Sequence, residues 1–222
     1  AVGGGIPGAG EYDGHADARC GWARSVDRAG RDERGDAADD AGQVERGNVC
    51  GRGADENAED AVNYGRIGMV IGHEFTHGFD DMGSKFAADG SFTNWWTEKD
   101  RTLFEERTWK LGETFSHFCP IDGYCVNPDL TMGENIADLG GLTMAYYAYT
   151  RTDEFKSGEM VAGYTPAQRF FIAYAQLWKI NYTDPELKNR ITNDSHSPGM
   201  YRVNGPLMNC PEFFAAFNVK EG

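Results

Sequence analysis

No run of eighteen apolar residues occurs in the 222-residue chain, and the longest uncharged tract, around Gly140–Thr150, is too short and too rich in Tyr and Gly to span a bilayer. Positive charge is also scarce. Lys+Arg 21 against Asp+Glu 35 leave a formal net charge of −14, which repels phosphate backbones and anionic membrane surfaces and argues against a nucleic-acid partner or membrane contact by this segment. Neither an initial Met nor a basic and apolar leader opens the chain, so any targeting signal has been removed or was never included. The five cysteines, Cys20, Cys50, Cys119, Cys125 and Cys210, contain no CxxC spacing, which disfavours a cysteine zinc site or a redox pair. Only Cys119 and Cys125 are close. The turn-forming Pro-Ile-Asp-Gly-Tyr between them suits either a small disulfide loop or two unpaired thiols.

Residues 1–60 lack Leu, Phe, Met and Lys altogether and hold 13 of the 29 Gly, with Ile6 and a few Val as their large aliphatics. Such a stretch cannot build a core, and its seven Arg and fourteen Asp+Glu follow no helical or strand period. It reads as an irregular or disordered low-complexity segment. The abrupt return of Lys and Leu near residue 60 also suggests a reading frame that is not native up to that join.

From Ala61 the composition is that of a folded, mainly α domain running to residue 222. Asn63–Asp81 reads as a helix with Ile67, Val70, Ile71 and Phe75 on one face, ending near Gly78. Thr97 with Asp100 opens a second helix to about Phe118, for which Leu103, Phe104 and Trp109 are the expected buried stripe. A third starts near Thr131 or Gly133 and carries Leu139, Leu142, Ala145, Tyr146 and Tyr149. Thr165-Pro166-Ala167-Gln168 is a capping box opening a fourth, with Phe170, Phe171, Tyr174, Leu177 and Trp178. Loops are expected at Ala87–Asn94, Pro120–Asp129 and Asn193–Gly205.

His73-Glu74-Phe75-Thr76-His77 is an HExxH on the first of these helices. Residues four apart share a helix face, so both imidazoles reach one zinc while Glu74 addresses the metal's open side as general base, taking a proton from the attacking water. Two partly exposed surface histidines are the competing explanation. A His₂Glu site needs a carboxylate from another helix, and Glu134, 57 residues beyond His77, is the candidate, with Asp138 one turn later as the acceptor that fixes a histidine tautomer. Thr131-Met132-Gly133-Glu134 equally fits a capping box in which Glu134 merely accepts from a backbone N–H. Asp80, three residues after His77, is placed either to orient that ring or to lie solvated at a helix end. Asn181-Tyr182-Thr183 and Asn193-Asp194-Ser195 are glycosylation sequons, informative only in a eukaryotic secretory pathway.

The segment Asn63–Asp81, the Glu134-Asn135-Ile136-Ala137-Asp138 block, Asn94-Trp95-Trp96-Thr97 and Asp194–Arg202 together resemble the neprilysin family of zinc endopeptidases, from about Ala61 to Val219. The resemblance implies a thermolysin-like catalytic domain of the α+β zincin class. It implies one zinc per chain on His73, His77 and Glu134, with Glu74 as general base. It further implies that His196 stabilises the tetrahedral intermediate and that Arg202 hydrogen-bonds the substrate backbone. Peptides are the implied substrates, and a location outside the cytoplasm, periplasmic, secreted or at the cell surface, is implied as well.

The sequence also departs from that pattern. The strand that grips an extended peptide in relatives falls where this chain has Arg28–Asp40, Arg66 replaces a usual Gly, and the large helical lid of full-length relatives has no counterpart. A partial catalytic domain is the expectation, with a zinc-binding but inactive fragment as the alternative.

Overall fold

The computed structural model describes residues Asn57–Lys220, and everything expected of residues 1–56, including Cys20, Cys50 and Arg28–Asp40, lies outside them. Among the described residues the architecture is mainly helical, with isolated antiparallel bridges such as Phe86–Phe92 in place of strands.

Helix α1 (Asp60–Asn63) runs through a π-helical turn, Tyr64–Gly68, into α2 (Met69–Thr76) and a 3₁₀ turn, His77–Phe79. α3 (Glu98–Ser116) begins at Thr97, whose hydroxyl accepts from the Asp100 N–H. α4 (Pro128–Tyr149) starts earlier than its apolar pattern suggested, because Asn127 caps it and Pro128 occupies the first turn. Thr131 is therefore inside the helix, and the capping box imagined for Thr131 and Glu134 does not form. The capping box at Thr165 does form and opens α6 (Pro166–Leu177). The short α5 (Asp153–Ser157) precedes it, and α7 (Asp184–Asn193), α8 (Gly199–Leu207) and α9 (Pro211–Phe217) complete the order. Most of the loop expected over Asn193–Gly205 is thus helix; only the segment from Asp194, already extended, to Pro198, which precedes α8, is irregular.

The main core joins Met69, Leu142, Ala145, Tyr149, Phe170, Phe171, Tyr174 and Leu177, so α2, α4 and α6 pack together much as the apolar periods of α4 and α6 require. A second cluster of Leu111, Phe115, Val126 and Tyr201 lies under α3. Two expected stripes are corrected. In α3, Leu103 and Trp109 are exposed and the buried side chains are Leu111 and Phe115 one or two turns later. In α2, Ile71 and Phe75 face outward, while Met69, Gly72 and His73 are buried. The reason is common to both: the inward face was chosen by what packs on it, and against α2 that is the crossing helix α4. The Pro120–Tyr124 turn is closed by a Cys119–Cys125 disulfide, which decides between the two states its sequence allowed, and Cys210 is a buried free thiol.

Candidate metal centre

The site is built where α2 crosses α4. Glycines face each other there: a Cβ on Gly72 would stand 2.9 Å from the Gly141 Cα, and one on Gly141 would stand 2.5 Å from the His73 backbone nitrogen. With no side chain to hold the helices apart, the residues that follow Gly72 on α2 and those about two turns before Gly141 on α4 are brought together. His73 and His77 from α2 and the following turn meet Glu134 from α4, and one ligand atom from each lies within 4.8 Å of the others.

Each imidazole is fixed by its own carboxylate. His73 Nδ1 bonds Asp138 Oδ1 at 2.9 Å and His77 Nδ1 bonds Asp80 Oδ2 at 2.8 Å. An ionised carboxylate only accepts, so both Nδ1 atoms carry hydrogen and both Nε2 lone pairs point into the cluster. Those two Nε2 atoms are 3.0 Å apart, and Glu134 Oε2 lies 3.2 Å from His73 Nε2. Glu134 Oε2 is buried with no aligned hydrogen-bond donor. Two facing ring nitrogens and a carboxylate oxygen at this spacing are the donor set a His₂Glu zinc site requires. Burial alone would lower the His73 pKa, but its bonds to Asp138 and Glu134 outweigh burial and push it up to about 9.

The carboxylates are in turn held. Asp80, buried at the end of the 3₁₀ turn, accepts from the Met82 and Gly83 N–H groups at 2.8 and 2.7 Å. Asp138 has no exposed surface and accepts from Arg202 Nε and Nη2, each at 2.8 Å. Burial would raise the Asp138 carboxyl, yet the Arg202 charge and the His73 contact hold it below its ordinary value. Arg202 lies 3.9 Å over the Trp178 ring, and its carbonyl accepts from the Tyr174 hydroxyl.

His196, from the irregular segment before α8, closes the cluster. Its Nε2 is 3.2 Å from Glu134 Oε2, and Asp194 Oδ1 accepts from both its Nδ1 and its backbone N–H at 2.9 Å. Burial would lower the His196 pKa, but Asp194 and Glu134 push it up to about 9. Glu134 shows the complement: burial would raise it, while His196 and His73 hold it well below the usual carboxylate range. Glu74 is exposed beside the cluster and has no hydrogen-bond partner among the described residues.

Every residue singled out from the sequence, His73, Glu74, His77, Asp80, Glu134, Asp138, His196 and Arg202, is therefore in or next to one cluster. Sequence reasoning assigned no site role to Asp194, Asn135 or Ser197, although all three lie in the blocks that carry the family resemblance, nor to Trp178, which was read only as part of the fourth helix's apolar face.

Residues 54–222 match the profile of Peptidase family M13. Human (Homo sapiens) neprilysin is 41% identical over 167 residues, which are 72% of this chain and 22% of that protein. Neprilysin-3 of Drosophila melanogaster is 37% identical over 172 residues, 76% of this chain and 22% of that one. Among solved structures, the inhibitor complex of the Mycobacterium tuberculosis zinc metalloprotease Zmp1 superposes with a TM-score of 0.69 at 41% identity, covering 75% of this chain and 26% of that chain. PepO from Lactobacillus rhamnosis HN001 superposes with a TM-score of 0.65 at 32% identity, covering 75% and 25% respectively. The chain spans about a quarter of the length of these relatives. With three quarters of its own length matched to the family and its His, His and Glu side chains converging on one point, the chain belongs to Peptidase family M13.

Proposed function

We propose that the protein hydrolyses peptide bonds of oligopeptides as a zinc endopeptidase, with His73, His77 and Glu134 holding the metal. The observation that carries this reading is the pair of Nε2 atoms at 3.0 Å, each ring fixed by a separate buried carboxylate, with Glu134 against them. When bound there, zinc supplies Lewis-acid polarisation of the scissile carbonyl and lowers the pKa of water.

The chain's own residues supply the remainder. Glu74 takes the proton of the attacking water and delivers it to the leaving nitrogen, a role for which its exposed carboxylate is uncommitted to other side chains. His196, protonated and held by Asp194, donates to the oxyanion that forms as the carbonyl carbon becomes tetrahedral. Arg202 hydrogen-bonds the substrate backbone; Asp138 and Trp178 lock the plane of its guanidinium, so little ordering remains to be done when substrate arrives. Asp138 serves the site twice, orienting His73 and Arg202.

The same reading is that the protein works outside the cytoplasm, and a Cys119–Cys125 disulfide, which persists in an oxidising compartment, supports it. No helix among the described residues is long and apolar enough to cross a membrane.

The test is zinc content by elemental analysis together with cleavage of internally quenched peptides by the full-length protein. About one zinc per chain and cleavage abolished by a chelator and restored by zinc are expected. Chelator-resistant cleavage would overturn the mechanism, and metal-loaded protein inert toward a broad peptide set would overturn the activity.

A further inference from the structure

Between Asp194 and Pro198 the chain has no regular structure, yet it carries His196 to within 3.2 Å of Glu134. Backbone hydrogen bonds within a helix or sheet therefore do not fix this segment, and something else must set its position against α4. Asp194 orients the His196 ring and is itself held by Arg190 at 3.0 Å, which ties the segment to α7 but not to α4.

The connection to α4 is a chain of three buried hydrogen bonds. The Ser197 hydroxyl donates to Asn135 Oδ1 at 2.9 Å, the Asn135 amide donates to Thr131 Oγ1 at 2.9 Å, and the Thr131 hydroxyl donates to the Asn127 carbonyl at 3.1 Å. Asn135 is fully buried, and Ser197 and Thr131 are 3% exposed. The direction of the chain is settled by its end: the Asn127 carbonyl only accepts, so Thr131 must accept from the Asn135 amide, which turns the Asn135 oxygen toward Ser197. A buried amide and two buried hydroxyls linked in one direction reinforce each other and admit one register. Asn135 follows Glu134 on α4, and Ser197 follows His196. Two consecutive residues of the helix thus hold two consecutive residues of the segment, one through the reacting cluster and the other through this latch.

We propose that Asn135 is a positioning residue, acting through Ser197 to hold the His196 ring where it meets the developing negative charge. The proposal rests on the reading of His196 as the oxyanion donor. Loosening the latch leaves His196 chemically intact but spreads its ring over positions that donate poorly, so turnover falls more than ground-state substrate binding does.

The test is a double-mutant cycle in the full-length zinc-loaded protein, using Ser197→Ala and His196→Ala with one quenched peptide. Ser197→Ala is expected to lower kcat roughly tenfold, with KM and zinc stoichiometry within about twofold of the parent, and to have no further effect on kcat in the His196→Ala background. A second readout does not involve activity: hydrogen–deuterium exchange of residues 194–198 should accelerate in Ser197→Ala while α2 and α4 keep their protection. Thr131→Val, which releases the Asn135 amide without touching the segment, should act in the same direction with a smaller effect, and it serves if Ser197→Ala does not fold. Losses that add fully to that of His196→Ala, or unchanged exchange over 194–198, would overturn the latch while leaving the zinc peptidase reading in place. An unchanged kcat in His196→Ala would instead remove the oxyanion role, and the latch with it.

Discussion

Gly72 on α2 and Gly141 on α4 touch backbone to backbone, and this contact sets the distance between the two histidines and Glu134. Gly141→Ala would place a methyl group 2.5 Å from the His73 nitrogen and 2.6 Å from the Met69 carbonyl oxygen, both backbone atoms that cannot swing aside. The helices must separate, at a cost of about 1–3 kcal/mol for an overpacked core. Denaturant unfolding should show that loss, and zinc affinity should fall with it. Parental stability and parental zinc affinity together would contradict the crossing as the element that assembles the site.

Zinc retention should depend on both imidazoles. His73→Ala and His77→Ala each remove one of three donors, so either variant is expected to lose stoichiometric metal after dialysis, read by elemental analysis. Metal retained at one per chain in the double variant would place the binding site elsewhere.

Glu74→Gln should separate metal from rate. The residue is exposed and its carboxylate is not one of the three converging ligands, so zinc content is expected to be parental, while turnover drops by the ~10²–10⁴-fold that loss of a general base produces. Near-parental kcat in the full-length protein would remove Glu74 from the reaction.

The two carboxylates behind the histidines should not be equivalent. Asp80→Asn keeps one acceptor oxygen of two, and with that oxygen left on the Met82 and Gly83 N–H groups its amide NH2 faces the His77 Nδ1–H, so the expected effect is a 10–100-fold weaker zinc affinity with modest loss of stability. Asp138→Asn removes the nearer and doubly bonded counter-charge of the buried Arg202 guanidinium and leaves it only Glu134 at 3.6 Å, which should add about 3–5 kcal/mol of destabilisation in urea titrations. Equal stability of the two variants would show that Arg202 is balanced by another group.

Glu154 ties down the start of α1, accepting from the Asp60 and Ala61 N–H groups, the Tyr149 hydroxyl and Arg169. Burial would raise its carboxyl, but these donors together hold it below the ordinary value of 4.5. A carboxyl whose folded pKa is depressed contributes stability that is complete above its unfolded pKa and lost as pH falls through the folded one. Melting temperature should therefore decline below about pH 4.5 more steeply in the parent than in Glu154→Gln, which should already be less stable at pH 7 by about 1–3 kcal/mol. Parallel curves from pH 6 to pH 3 would rule out Glu154 as the titrating group.

How much of this was legible beforehand differs from element to element. Thr165-Pro166-Ala167-Gln168 marked the start of α6 correctly because a capping box is made by residues three apart, and the apolar period of α4 identified Leu142, Ala145 and Tyr149 as core. The outward turn of Ile71, Phe75, Leu103 and Trp109 was not legible, because exposure depends on which neighbouring helix arrives. α8 was missed over Gly199–Leu207, where Pro and Gly read as loop.

By itself the sequence determined the local chemistry: two histidines one helical turn apart, a glutamate beside the first of them, and a Glu and an Asp one turn apart on a second helix. These are consequences of the 3.6-residue period and need no fold. Only the tertiary structure decided that Glu134 meets His73 and His77 instead of capping a helix, that Arg202 balances Asp138, and that Asn135 grips Ser197. Those contacts join residues more than fifty positions apart. Their geometry follows from how closely two glycine-bearing helices approach, a quantity that no local period encodes.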